Sequence, residues 1–154
     1  MSTTAGEFSI SVRAAGGYRQ TLAALREALQ RNRLEILSEL AVDQELKRRL
    51  GVVCERRTVF VVWSPPDAYR AVLGDRDGAL LFPCSLCVGE DEASVFVAAT
   101  NHYGTLGARQ APIGIQALLR DSSRRIRQVL AELAVPEEPL RQPSNVHAGG
   151  SSAL

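Results

Sequence analysis

No run of apolar residues in this 154-residue chain approaches the roughly 20 needed to carry a helix across a bilayer. A membrane-spanning helix is excluded on that ground. Charge of one sign is scarce as well. The 18 Lys and Arg against 17 Asp and Glu leave a net charge of +1, too weak a basic field for generic nucleic-acid binding. Cysteine numbers only three and histidine two. An odd cysteine count does not fit a secreted disulfide framework, whereas a reducing compartment tolerates it, so free thiols are expected. Met1–Glu7 has neither a basic stretch nor an apolar core of the kind that directs secretion, and a cytoplasmic, unanchored protein is the expectation. Also missing are a nucleophile paired with its base, a glycine loop that cradles phosphate, and a complete set of metal ligands. No enzyme class, metal or cofactor is therefore indicated.

What is present is strong periodicity. Phe8, Ile10 and Val12 alternate with polar residues, as in a strand with one wet face. From Tyr18 the spacing becomes helical: Tyr18, Leu22, Leu25 and Leu29 form one stripe, while Arg19, Arg26, Gln30 and Arg33 face elsewhere. Asn32 supplies a stop, and Leu34–Leu40 reads as a second half-buried strand. Asp43 stands where an N-cap belongs for a short helix to Leu50, ended by Gly51. Thr58–Trp63 is apolar on both faces, the pattern of a central strand covered on both sides by helices or a partner subunit. Ser64-Pro65 opens a further helix, Asp75–Gly78 a turn, and Leu80–Val88 a strand whose even positions are apolar. Across an acidic loop at Gly89–Glu92, Ser94–Thr100 returns antiparallel, because so short a link cannot hold a parallel crossover. Ile115, Leu118, Leu119, Ile126, Val129, Leu130 and Leu133 mark a long last helix.

This order, β-α-β-(α)-β-α-β-β-α, predicts an α+β two-layer sandwich with a mostly antiparallel five-stranded sheet and helices mainly on one face. Residues 7–134 form the single domain. Residues 135–154, rich in Pro, Gly and Ser, read as a disordered tail.

Three segments resemble the family called domain of unknown function 302. Tyr18–Leu29, followed by the strand at Leu34–Leu40, is similar to the family's first helix and next strand. Ser64–Leu73 resembles its helix-opening segment, with Ser64 in place of the usual asparagine before proline. Leu80-Leu81-Phe82-Pro83-Cys84 is similar to its run of leucines leading to proline-cysteine. The resemblance covers Phe8–Thr100 and extends loosely over the last helix. It implies a compact two-layer domain, often a homodimer, with no assigned activity. Cys87, the segment Asn101–Gly104 and the tail have no counterpart in that pattern.

The chemistry-bearing candidates are few. Cys84 and Cys87 have Cys-x-x-Cys spacing, used by redox and zinc sites. In a continuous strand, however, residues three apart point to opposite faces and lie about 10 Å apart, beyond the roughly 7 Å reach of a disulfide. Cys84 is thus a core hydrophobe, a pocket thiol or, with a bend at Pro83, half of a pair. Cys54 lies beside Glu55, Arg56 and Arg57, with opposing effects on its thiol. His102 and Tyr103 follow the last strand, where loops commonly carry function. Arg120, Arg124 and Arg127 form a basic stripe on the last helix, fit for an anion or for plain solvation. The expected function is non-enzymatic binding of a small molecule or protein partner by a homodimer. The alternative is a thiol-dependent metal or redox protein using Cys84 with Cys87 or Cys54. A structural adaptor that recruits a partner is a third reading.

Overall fold

A computed structural model of the chain describes residues 3–5, 8–101 and 110–136. The elements run β1 (Thr3–Ala5), β2 (Ser9–Arg13), α1 (Tyr18–Arg31), β3 (Glu35–Ala41), α2 (Val42–Leu50), β4 (Arg57–Trp63), α3 (Pro65–Gly74), a short 3-10 turn (Gly78–Leu81), β5 (Cys84–Asp91), β6 (Ser94–Thr100) and α4 (Ile113–Leu133). All strand pairings are antiparallel. The sheet order is β1-β2-β6-β5-β4-β3. The five expected strands are present, and the short β1 adds a sixth at the edge. The α+β sandwich read from the periodicity is the observed fold.

One face of the sheet is packed by α1 and α4. Ile10, Phe60, Val62, Leu86, Val88 and Val97 point into that core and meet Leu25, Leu29, Val129 and Leu130 of the helices. The helical stripes explain why: buried positions in each helix recur at spacings of three and four, so one side is apolar and the other wet. A second, smaller cluster joins α3 to the first half of α4 through Ala68, Ala71, Phe82, Ile115 and Leu119.

Local chemistry sets the boundaries. Asn32 ends α1, its Nδ2 donating to the Ala28 carbonyl at 2.8 Å. Arg33 then adopts a left-handed conformation, φ 57°, and the Leu34 N–H returns to the Leu29 carbonyl at 2.9 Å, a tight reversal into β3. Asn32 Nδ2 and Arg31 also hold Glu132 of α4, at 2.9 and 2.6 Å. These contacts hold the Glu132 carboxyl below its ordinary range. Gly78 lies so close to the Ala71 carbonyl that a Cβ there would collide with it, which is why a glycine closes the turn against α3.

Several expectations are corrected. Leu80 and Leu81 belong to the 3-10 turn, and the strand starts only at Cys84, because Pro83 cannot donate to a ladder. β3 is an edge strand exposed along its whole length rather than half-buried. Helices do not cover β4 on both sides: Thr58, Phe60 and Val62 are buried, whereas Val59, Val61 and Trp63 on the other side are half-buried, Trp63 packing against the α3–α4 cluster. Asp43 lies inside α2, which begins at Val42, and its carboxylate accepts the Arg57 N–H at 3.2 Å instead of capping. The β5–β6 connection is tighter than the acidic loop predicted, with only Glu92 and Ala93 between the strands. The predicted tail lies outside the described residues from position 137 onward. Val135, assigned to that tail, is tied to the domain by its N–H to the Arg13 carbonyl at 3.0 Å.

Candidate functional site

A cleft of about 1250 Å³ lies where the end of α1, the start of β3, the start of α3 and the middle of α4 converge. Four arginines line it: Arg26 and Arg33 around the end of α1, Arg70 on α3 and Arg125 on α4. Glu35 and Asp67 are the acidic residues of the lining. The arginines differ in what already holds them. Arg26 is committed to Glu39 of β3 through a two-pronged contact and lies over the Phe60 ring at 5.8 Å. Arg125 sits 3.1 Å from Asp67 Oδ2, and Arg70 is 3.9 Å from Asp67 Oδ1. Asp67 is only 5% exposed. Its Oδ2 is buried without a hydrogen bond, so the Arg125 contact is a charge pair lacking hydrogen-bond alignment. Arg33 is exposed and has no ion pair among the described residues.

The backbone makes this cleft unusual for an anion site. Helix N-termini ordinarily offer free N–H groups. α3 opens with Pro65 and Pro66, which have none. Ser64, 5% exposed and at the N-cap position, does not use its hydroxyl to cap the helix. Guanidinium groups must therefore do the recognising here, in the planar, multi-donor geometry that suits carboxylate and phosphate.

The thiols do not assemble. The β4–β5 ladder runs without a register shift, pairing Cys84 with Val62 and Cys87 with Val59, so the two cysteines point to opposite faces. Cys84 is buried, and burial pushes its thiol up to about 11 in spite of hydrogen bonding at Thr100. Burial also raises Cys87, opposed by Arg57. Cys54 is exposed in the segment between α2 and β4. Among the described residues no group of three or more His, Cys, Asp or Glu side chains could hold a metal ion. His102 and Tyr103 lie outside the described residues. Arg120, Arg124 and Arg127 are exposed on the outer side of α4, Arg124 facing Asp121 at 3.0 Å. None of the three lines the cleft; their neighbour Arg125 does.

The model of the family described as "Domain of unknown function DUF302" matches residues 10–133. The chain belongs to this family. The DUF302 match runs through α4, over which the resemblance read from the sequence extends only loosely. It also takes in Cys87 and the segment after β6. A crystal structure of an uncharacterized conserved DUF302 protein from Bacillus stearothermophilus has the same fold, with a TM-score of 0.76 at 18% identity over 83% of this chain and 99% of that one. No curated protein matches the chain. No helix among the described residues of this DUF302 domain is long and apolar enough to cross a membrane.

Proposed function

We propose that this DUF302 domain is a non-enzymatic binding protein that holds a small anionic ligand in the arginine-lined cleft and works as a cytoplasmic homodimer. The observation that carries the reading is the convergence of Arg33, Arg70 and Arg125 from three separate elements on one cavity, with Arg33 unpaired. The dimer is supported by the face of the sheet turned away from α1, where Val59, Val61, Phe96 and Ala98 are half-buried beside Leu40, itself 49% exposed. A second copy of the chain is its proposed cover. Three free cysteines accord with a reducing compartment. The thiol-dependent reading has less support, because a thiol held near 11 is protonated at neutral pH and is a poor nucleophile.

Calorimetric titration with inorganic phosphate and with citrate tests the cleft. Saturable binding to the wild type is expected, falling at least tenfold in Arg33→Ala and in Arg70→Ala and weakening as salt rises. Failure of both anions to bind, or binding untouched by either substitution, would remove the reading.

A further inference from the structure

We infer that the cleft's ligand is a phosphomonoester carried on a hydroxyl-bearing ring, as in a sugar phosphate or a mononucleotide. This rests on the anion-binding reading of the same cleft and specifies what surrounds the anion. The lining is not uniformly cationic. Glu35 and the buried Asp67 share it with the arginines, and a bare anion gains from the guanidinium groups but is repelled by the carboxylates. A ligand that turns its phosphate to Arg33 and Arg70 and its hydroxyls to Glu35 satisfies both. Glu35 has acceptor capacity for this, since its only hydrogen bond among the described residues is a long one of 3.4 Å from Trp63 Nε1.

Ser64 adds a hydroxyl to the lining. It is 5% exposed, it lines the cleft, and its hydroxyl neither caps α3 nor bonds to any described residue. The hydroxyl is open to the cleft rather than sealed in the protein, so it can donate to or accept from a ligand hydroxyl there. Gln30, on the opposite wall, adds an amide with no side-chain bond among the described residues. Leu34, Ile36, Pro65 and Pro66 give the same cavity an apolar side, a surface for a ring and of no use to a small inorganic anion. The volume of about 1250 Å³ admits ring and phosphate together.

The test is calorimetric titration of the full-length protein with inorganic phosphate, D-ribose, ribose 5-phosphate and AMP. Ribose 5-phosphate is expected to bind at least tenfold tighter than inorganic phosphate, and ribose not measurably. Ser64→Ala is expected to weaken ribose 5-phosphate several-fold and inorganic phosphate less. Gln30→Ala, at an exposed helix position that leaves folding intact, is expected to do the same. AMP binding tighter than ribose 5-phosphate assigns the proline wall to a base; weaker AMP binding assigns the site to sugar phosphates. Equal affinities for inorganic phosphate and ribose 5-phosphate, or equal losses of both in the two variants, would overturn this inference while the anion-binding reading stands. If inorganic phosphate, citrate and ribose 5-phosphate all fail to bind, both fall.

Discussion

The two faces of the sheet are made by the same strands and both carry apolar residues, yet they have different fates. On the helix-covered face, Phe60, Val62, Cys84, Leu86, Val88 and Val97 are all buried. On the other, Val59, Val61, Trp63, Cys87, Phe96 and Ala98 stay partly open to solvent, alternating with the first set along β4, β5 and β6. Composition separates them in part, since Ser9, Ser11, Arg13, Arg57, Ser85 and Thr100 share the open face. The rest of the difference lies in which face the helices reach, and that follows from connections: α1 and α4 both return to one side of the sheet, where their apolar stripes are covered. The face left over keeps an apolar patch at Val59, Val61 and Ala98, which is why a second copy is proposed for it.

Substitutions can widen or collapse this contrast. The largest effect is expected at Phe60, fully buried on the covered face. Phe60→Ala should cost about 3–5 kcal/mol in urea unfolding, whereas a loss below about 1 kcal/mol would mean that the face is not the core. Next comes Cys84. Its folded thiol is held up at about 11 by burial, while an unfolded one ionises near ~8.5. Its contribution is therefore fully present below the unfolded value and is lost as pH rises through the folded one. About 2–3 kcal/mol should disappear between roughly pH 8.5 and 11. Tyr18, also raised by burial, works in the same direction. The difference between wild type and Cys84→Ala isolates the thiol, and parallel pH profiles for the two would show that Cys84 is not buried as described. At pH 7, Cys84→Ser should cost about 1–3 kcal/mol and Cys87→Ser less than about 0.5 kcal/mol; the reverse ranking would exchange the faces. Smallest in stability is Val61→Asp on the open face, expected to leave the monomer folded but to halve the mass seen by light scattering. A wild-type protein that is monomeric at micromolar concentration would refute the dimer.

Most of the fold was legible because its signals are local. Period two at Ile10 and Val12, period 3.6 at Leu25 and Leu29, and Asn32 as a stop each depend on a few neighbouring residues. Even the opposite orientation of Cys84 and Cys87 followed from strand geometry alone. What failed was coverage. Val59 and Val61 look as buried as Phe60 and Val62 in the sequence, and Ile36 and Leu40 look like the inside of a half-buried strand. Edge position and helix placement are tertiary facts that no window of residues contains. The cleft was hidden for the same reason. Arg33, Arg70 and Arg125 are separated by long stretches of chain, and only packing of α1, α3 and α4 brings them together. The basic stripe of α4 drew attention to Arg120, Arg124 and Arg127, whereas the arginine that turns inward is Arg125, held by a buried Asp67 that gave no signal in its own neighbourhood.

The position of β2 also governs how this chain must fold. β3, β4, β5 and β6 pair in sequence order as a meander, and the β5–β6 hairpin closes over two residues, so these contacts form with little loss of loop entropy. β2 instead docks on the far side of β6, with Ser9 beside Thr100, a closure that spans most of the domain and becomes favourable only once β6 is already in place. The earliest strand synthesised after β1 is thus among the last to find its partner. While it waits, the ladder edge of β6 that it will cover stays open to competing strands from other chains.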